Sequence, residues 1–250
     1  TFFMKDIIDL HTHTIASGHA YSTLSEMIRS AAEKGLSVYG CADHAPKMPG
    51  STHKFYFINF KVIPRLQHGV RVLMGAELNI LDPEGTVDLP ESTLEKLDYT
   101  VASLHVPCFA PRTREEHTQA YVNVMKNPHV TIIGHPDDDR YPVDYRTFAR
   151  AAKESGKLVE VNNTSLAPGG SRTGAAENYA VLLKYCKEYE VPIIIGSDAH
   201  HENDVGNHRC AWELLEREHF PEELIMNTSV EKLKPYIPVL AQLFPEECHD

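Results

Sequence analysis

The sequence predicts an α/β fold in which seven parallel strands and their connecting helices close into a (β/α)7 barrel. Short apolar, β-rich segments alternate with helical patterns, which indicates a mainly parallel sheet with right-handed crossovers. Seven strands are too many for a small open sheet, and residues that can bind metals follow one strand after another. The predicted strands span residues 7–10, 36–42, 70–80, 99–104, 130–134, 157–161 and 192–196.

Five helix candidates lie between or after these strands. The first has the clearest start, because Thr23 and Glu26 have capping-box spacing, and Gly35 follows its last turn. Residues 164–174, after the sixth strand, contain one proline and three glycines, so we expect a mobile surface loop beside the mouth of the barrel. The predicted helices span residues 23–34, 115–125, 144–154, 177–188 and 210–218.

Length, composition and charge narrow the classes of function. A chain of 250 residues fits one barrel domain, so we assign residues 1–250 to a single domain. No apolar run approaches the roughly 18 residues of a membrane helix, so we expect no membrane partner. A net charge of -11 disfavours broad nucleic-acid binding. The five widely spaced cysteines and an N-terminus without a secretory pattern predict a cytoplasmic protein with free thiols.

Imidazole and carboxylate side chains occur where the predicted strands end. In a parallel barrel these ends converge on one face, which is where barrel active sites lie. The two histidines of a His-x-His segment in an extended strand point the same way, so both can reach one ion. Any one such residue is more often structural, but structural histidines would scatter along the chain. The strand-end residues are His11, His13, His44, Glu77, His105, His135, Asp198 and His200.

The ligand types indicate a site with more than one metal ion. Neutral imidazoles and carboxylates suit zinc, manganese or iron. The set exceeds the four ligands of a tetrahedral zinc, and Glu77 and Asp198 can bridge two cations. We expect the remaining histidines to lie mostly on the surface, including the one adjacent to His200. They are His53, His68, His117, His129, His201, His208, His219 and His249.

Several segments resemble the PHP superfamily, which is named for polymerase and histidinol phosphatase domains. The shared motifs are DLHTHT at 9–14, DH at 43–44, GAE at 75–77, GHP at 134–136 and GSDAH at 196–200. Four further segments resemble the YcdX-type branch of phosphatases in this superfamily. They are SGHAYSTL at 17–24, FIN at 57–59, FAP at 109–111 and EVNNTS at 160–165.

The resemblance implies a distorted (β/α)7 barrel with three divalent ions at the carboxyl ends of the strands, with zinc expected and manganese or iron as alternatives. It adds His19 to the ligand set, which makes nine residues. By matching motif, His11, His13, Glu77 and Asp198 would hold the first ion, Glu77, His105 and His135 the second, and His19, His44 and His200 the third.

The implied activity is hydrolysis of small phosphomonoesters by a metal-bound hydroxide, with Glu77 and Asp198 as bridging or central carboxylates. Arg172 and Arg65 match arginines of the YcdX-type branch and are candidates for phosphate binding; the alternative for each is a solvated surface arginine. A histidinol-phosphate phosphatase and a nuclease-like or non-catalytic PHP module are alternative functions. The acidic charge and the lack of polymerase sequence disfavour the module. A barrel amidohydrolase shares His-x-His but would not normally need a third ion.

Overall fold

Nine strands in two sheets form the framework of residues 6–245, which are the residues that the computed structural model describes. Cys248 and His249 lie outside this range. All neighbouring strands are parallel except β3 and β4, so the predicted mixed α/β fold with parallel sheets is confirmed. The strands are β1 (Ile8–Asp9), β2 (Val38–Cys41), β3 (Leu66–Gln67), β4 (Val70–Met74), β5 (Ala76–Asn79), β6 (Thr100–Ser103), β7 (Ile132–Ile133), β8 (Leu158–Asn162) and β9 (Ile193–Gly196).

The segment predicted as one strand, 70–80, is two strands that separate at Gly75. The first sheet has the order β1-β2-β4-β3 and the second has the order β5-β6-β7-β8-β9. A Cβ atom at Gly75 would lie 2.6 Å from the backbone oxygen of Tyr99, so this close approach of two chain segments requires glycine. β3 was not predicted from the sequence. It pairs antiparallel to β4 through a turn in which His68 and Gly69 have positive φ.

Two isolated parallel bridges join the sheets, one beyond the ends of β1 and β9 and one between β2 and β5. Thr12 pairs with Ala199, and His44 pairs with Glu77. The first bridge is reinforced by a hydrogen bond, since the amide of His13 donates to the carbonyl of Ala199 at 2.8 Å. The backbone contacts that join the sheets therefore lie beside the side chains that the sequence predicts to bind metal.

One apolar cluster takes a buried side chain from each of seven strands. Leu233 and Leu240, from the C-terminal segment, pack into the same cluster. Burying an aliphatic side chain of this size contributes roughly 1.5–3 kcal/mol, so the cluster ties the C-terminal segment to both sheets. The strand residues are Ile8, Val38, Leu73, Val101, Ile132, Leu158 and Ile194.

The five predicted helices are present with ends within two residues of the predicted ones. α1 begins with the predicted capping box between Thr23 and Glu26, and α4 has a second one between Thr113 and Glu116. Five helices of four or five residues were not predicted, because so few residues show no helical periodicity. One of these, α6, occupies the start of the predicted mobile loop. The helices are α1 (Leu24–Glu33), α2 (Lys54–Ile58), α3 (Glu91–Leu94), α4 (Arg114–Val124), α5 (Tyr145–Ser155), α6 (Asn163–Leu166), α7 (Ala175–Tyr189), α8 (Arg209–Arg217), α9 (Val230–Leu233) and α10 (Val239–Leu243).

Two histidines that were predicted to lie on the surface are buried instead. His117 accepts a hydrogen bond from the amide of Arg112 through Nε2, and its Nδ1 donates to the carbonyl of Pro142. His208 lies with Nδ1 2.5 Å from Asp6 Oδ2 and Nε2 3.5 Å from Asp9 Oδ1. Both ring nitrogens of His117 and Nδ1 of His208 thus have protein hydrogen-bond partners, whereas Nε2 of His208 has none within the described structure.

The remaining described histidines outside the ligand set are exposed or half-buried, as predicted. Cys41, Cys108, Cys186 and Cys210 are free thiols. None of the helices within residues 6–245 is long and apolar enough to span a bilayer.

Candidate metal centre

The structure brings the nine predicted metal ligands together at the carboxyl ends of the strands. Glu77 lies within β5, and the others lie in the segments that leave β1, β2, β6, β7 and β9. Only His19 is mostly exposed; its ring lies 4.9 Å from that of His44 and 5.0 Å from that of His200, measured between centroids. The nine residues are His11, His13, His19, His44, Glu77, His105, His135, Asp198 and His200.

Glu77 lies at the middle of this cluster and is fully buried. Its Oε1 atom is 2.9 Å from Nε2 of His135 and 3.1 Å from Nε2 of His105. Its Oε2 atom is 2.9 Å from Nδ1 of His44 and 3.4 Å from Nε2 of His11. Each carboxylate oxygen therefore faces a different group of imidazoles, which is the arrangement that a bridging carboxylate requires.

Asp198 is the second carboxylate of the cluster and has a positive φ of 56°. Its Oδ1 lies 3.2 Å from Nε2 of His13 and 3.5 Å from Nε2 of His11, while its Oδ2 lies 3.2 Å from the guanidinium of Arg172. Burial alone would raise the pKa of Asp198, but the neighbouring side chains of His11, His13 and Arg172 hold that pKa well below its usual value. The carboxylate is therefore ionised and faces both imidazoles and a cationic side chain.

The hydrogen bonds of Ser17 determine which nitrogen of His13 carries the proton. The Ser17 hydroxyl donates to Asp43 Oδ1 at 2.7 Å and accepts from the amide of His44 at 3.1 Å. Since its single proton is used on Asp43, Ser17 accepts from Nδ1 of His13, 2.9 Å away. The lone pair of His13 therefore lies on Nε2, which faces the centre.

His105 and His200 are oriented in the same way. Nδ1 of His105 lies 2.7 Å from Oδ1 of Asn79, whose amide nitrogen donates to Asp88 and Ala45. Nδ1 of His200 donates to the backbone carbonyl of Asp198 at 2.8 Å. In each case an acceptor fixes the proton on Nδ1 and leaves the Nε2 lone pair for another partner, as in protein metal sites.

Five buried atoms in the centre have no hydrogen-bond partner within the described structure. The imidazole nitrogens among them lie near carboxylate oxygens but do not form hydrogen bonds with them. Buried polar atoms in proteins nearly always have a hydrogen-bond partner, so these atoms are exceptions. Within this centre, three groups of three residues place ligand atoms within 4.8 Å of one another. Unpaired imidazole nitrogens around ionised carboxylates fit divalent transition metals. The five atoms are Nε2 of His11, His13 and His105, Nδ1 of His44, and Oε2 of Glu77.

The electrostatics of the centre favour bound cations. Burial by itself would raise the pKa of Glu77, but His105, His11 and His44 hold it well below its usual value. Burial lowers the pKa of His11, yet Glu160 and Glu77 outweigh it and raise that pKa well above its usual value. Ionised carboxylates thus surround His11. A metal ion at Nε2 of His11 would compensate their negative charge, as a proton on that nitrogen would.

The two predicted phosphate-binding arginines lie in different places. Arg172 is mostly buried beside Asp198 and donates to the hydroxyl of Ser165 at 3.1 Å. Arg65 does not line the cavity with the histidines, since its guanidinium donates to Asp98 and to the carbonyls of residues 60 and 63. His201 is exposed and accepts a hydrogen bond from the amide of residue 203.

Two supporting residues were not predicted to take part in the site, although each lies in a segment that resembles the PHP superfamily or its YcdX-type branch. Asp43 is fully buried and accepts hydrogen bonds from both Ser17 and Tyr56. Glu160 is buried on β8 and contacts His11. A carboxylate that directly follows or lies within an apolar strand was the available signal for both. That signal marks a buried charge but does not identify its partners.

A cavity of about 480 Å³ opens beside this cluster. Its lining combines His44, His105, Asp198 and Arg172 of the centre with five less polar residues and with the charged side chains of residues 138 and 140. The five are Met48, Pro49, Val106, Pro107 and Tyr141. The cavity therefore offers both charged and apolar side chains to a bound molecule.

Comparison with protein families identifies the type of domain. The PHP domain model matches residues 9–233, which is most of the chain. The chain belongs to the PHP domain family. A probable phosphatase of Thermoanaerobacter sp. (strain X514) is 48% identical over 235 residues, which cover 94% of this PHP chain and 95% of the relative. A probable phosphatase of Acetivibrio thermocellus is 46% identical over 234 residues, which cover 94% and 96%, respectively.

Two solved structures share the fold at low sequence identity. Histidinol phosphate phosphatase from Lactococcus lactis, complexed with zinc, L-histidinol and phosphate, has a TM-score of 0.58 and 17% identity to this PHP chain. The match covers 86% of this chain and 95% of that one. A chain of archaeal ribonuclease P with mature tRNA has a TM-score of 0.55 and 14% identity, with 95% and 94% covered. At these identities the likeness concerns the fold alone.

Proposed function

We propose that this PHP chain is a metal-dependent phosphomonoesterase that hydrolyses small phosphorylated substrates at a centre of three divalent ions. The observation that carries the proposal is the buried Glu77, whose two oxygens face separate groups of imidazoles with unpartnered nitrogens. Relatives at 46% and 48% identity that are named probable phosphatases support the class of reaction. The zinc of the Lactococcus lactis structure supports zinc as the metal.

We assign the whole chain to a single distorted (β/α)7 barrel. The two bridges between the sheets, Thr12–Ala199 and His44–Glu77, support this architecture. So does the apolar cluster that takes one side chain from each of seven strands. In such a barrel the nine ligands occupy the rim at the carboxyl ends of the strands.

The proposal of three ions rests on the grouping of the ligand atoms. The three groups overlap at His13 and His44, so their ligand atoms form one continuous cluster. Glu77 also reaches His135, and His19 lies against the rings of two of the grouped histidines, which accounts for the remaining ligands. The groups are His11, His13 and Asp198; His44, Glu77 and His105; and His13, His44 and His200.

When bound, the divalent ions supply Lewis-acid chemistry, in which a water molecule is acidified to provide the nucleophile and phosphate charge is neutralised. Arg172 contributes a fixed positive charge at the same end of the cavity. Burial opposes that charge, but Asp198, Asp137 and Glu77 raise the pKa of Arg172 above its usual value. A guanidinium held this way can donate two parallel hydrogen bonds to phosphate oxygens.

The apolar part of the cavity lining suits the organic part of a phosphomonoester. Met48, Val106 and Tyr141 line it together with two prolines. Apolar side chains can cover the leaving group while the phosphate lies at the charged end, so the cavity orients a substrate that has one charged and one less polar end.

The proposal is tested by hydrolysis of p-nitrophenyl phosphate, bis-p-nitrophenyl phosphate and histidinol phosphate by the same zinc-loaded preparation. We expect the monoester p-nitrophenyl phosphate to be hydrolysed at least tenfold faster than the diester. We also expect activity to be lost on treatment with a chelator and restored by zinc. Preference for the diester would indicate a nuclease-like function, and preference for histidinol phosphate over other monoesters would indicate the narrower phosphatase. Inactivity of the fully loaded protein on all three substrates would contradict the proposal.

A further inference from the structure

Strand β8 supplies none of the nine proposed ligands, yet two of its side chains contact three of them. Glu160 and Asn162 are two residues apart on the strand, so they lie on the same face. Both are buried, with 1% and 0% of their surface exposed. We propose that Glu160 is a positioning residue that orients two ligand segments for metal binding. This inference rests on the metal centre of the proposed function.

The first contact of Glu160 determines the protonation of His11. Glu160 Oε1 lies 2.5 Å from Nδ1 of His11. A carboxylate at this distance accepts the Nδ1 proton, so the lone pair of His11 lies on Nε2, which is one of the unpartnered atoms of the centre. A carboxylate that accepts a hydrogen bond from a ligating histidine also makes the imidazole a stronger ligand.

The second contact of Glu160 supports a strained segment of backbone. Glu160 Oε2 accepts a hydrogen bond from the amide of His135 at 2.7 Å. His135 has a φ of 27°, a conformation that is unfavourable for a residue with a side chain. The strained backbone directs Nε2 of His135 to Glu77 Oε1, 2.9 Å away. Glu160 thus holds the segment that presents a ligand from β7.

Asn162 extends the same arrangement to a third ligand. Its side-chain amide donates to Glu160 Oε2 and to Asp198 Oδ2, at 3.2 Å in each case. Asp198 also has a positive φ, so two strained ligands are linked through β8. The side chains of Glu160 and Asn162 therefore connect ligands from the segments that follow β1, β7 and β9.

Gly196 lies next to Glu160 and leaves room for its contact with His11. A Cβ atom at Gly196 would collide with Glu160 Oε1 and would lie 2.8 Å from Cβ of His11. Any side chain at this position would separate the carboxylate from the imidazole. The absence of a side chain at residue 196 is therefore required for the Glu160–His11 hydrogen bond.

The test is the affinity of the protein for zinc, measured by competition with a chromophoric chelator for the parent, Glu160→Gln and Glu160→Asp. Glutamine keeps the size of the side chain but cannot accept from both His11 and His135, because one of its two polar atoms is a donor. We expect Glu160→Gln to bind at least one zinc ion about 10- to 100-fold more weakly than the parent. Aspartate keeps the charge but is shorter, so we expect a similar or smaller loss.

Asp98→Asn is the matched control. Asp98 accepts hydrogen bonds from Arg65 and from the amide of Met74 and contacts none of the nine ligands. We expect this variant to melt at a lower temperature but to bind every zinc ion as the parent does.

The outcomes separate this inference from the proposed function. Parent affinities for every zinc ion in a folded Glu160→Gln protein would overturn the inference and leave the proposed function intact. A parent protein that binds no zinc would overturn the proposed function and, with it, the inference. If neither Glu160 variant folds even with zinc present, Glu160 acts in folding rather than in metal positioning, and the inference is wrong.

Discussion

The backbone of His44 forms a parallel bridge with that of Glu77, and the side chains of the same two residues meet at 2.9 Å between Nδ1 and Oε2. The bridge includes hydrogen bonds from the amide of Ala45 to the carbonyl of Glu77 and from the amide of Glu77 to the carbonyl of Asp43. The proposed metal centre therefore lies where the two sheets meet. Metal binding and the packing of the sheets are expected to stabilise each other.

Metal removal should lower the melting temperature of the protein. A ligand that binds only the folded state stabilises it by about 2.7 kcal/mol at a hundredfold excess over Kd. For a domain of this size we expect a decrease of at least several degrees after chelation. Differential scanning calorimetry before chelation, after chelation and after zinc is restored measures the effect. An unchanged melting temperature in protein shown to have lost its metal would argue against a centre between the sheets.

Glu77→Gln should lose far more activity than His201→Ala. The amide cannot supply two anionic oxygens to two ions, and its nitrogen would face imidazoles whose lone pairs are needed for metal. We expect a loss of kcat of at least a hundredfold for Glu77→Gln and a change within twofold for the exposed His201→Ala. Steady-state kinetics on variants shown to be folded by circular dichroism gives the comparison. Equal losses would mean that the roles of the two residues have been misassigned.

Arg172→Ala should lower kcat/KM for a phosphomonoester without changing the number of bound ions. Loss of one charge-assisted contact costs about 1.5–3 kcal/mol, which is roughly 10- to 100-fold in kcat/KM. Arg172→Lys separates charge from geometry, because lysine keeps the charge but lacks the planar fork.

Arg65→Ala is the matched control for Arg172, because Arg65 pairs with Asp98 away from the cavity. We expect it to reduce thermal stability and to leave kcat/KM within twofold of the parent. If Arg172→Ala retains the parent kinetics on several phosphomonoesters, Arg172 has no role in substrate binding.

The stability of the protein should fall with rising pH through the titration of His208. Burial lowers the pKa of His208, but Asp6 and Asp9 outweigh burial and raise that pKa from 6.5 to about 10. Because the folded state binds this proton more tightly than the unfolded chain, the stabilisation is complete below pH 6.5 and is lost between pH 6.5 and 10. One proton changes the free energy of unfolding by at most about 1.4 kcal/mol per pH unit.

Denaturant unfolding of the parent and of His208→Gln across this pH range isolates the contribution of His208. We expect the difference in unfolding free energy between the two proteins to shrink as pH rises. A difference that stays constant from pH 6 to 10 would show that His208 does not carry a proton in the folded state.

Much of the fold could be predicted from the sequence because the signals were local. The capping box of Thr23 and Glu26 and the apolar runs of the parallel strands depend on adjacent residues. The break at Gly75 could not be predicted, since it depends on the approach of Tyr99, the residue that precedes β6. The burial of His208 depends likewise on Asp6, about 200 residues away in the sequence.

The candidate site was predictable where each ligand follows an apolar strand, as His44 and His105 do. Residues that hydrogen-bond to the ligands without being ligands themselves were not predictable in this way. Glu160 begins the segment EVNNTS, but nothing in that segment indicates its partner. Only the fold places it 2.5 Å from a histidine that lies 149 residues earlier. Arg65 and Arg172 were equivalent candidates in the sequence, and their surroundings in the fold distinguish them.

The most direct test of the proposed centre is the number of transition-metal ions bound per chain. Elemental analysis of protein purified without chelator and then saturated with zinc should give close to three ions per chain. Glu77→Gln, prepared in parallel, should give fewer, because Glu77 faces two groups of ligands. A value of one ion or none in fully loaded parent protein would contradict the three-ion centre.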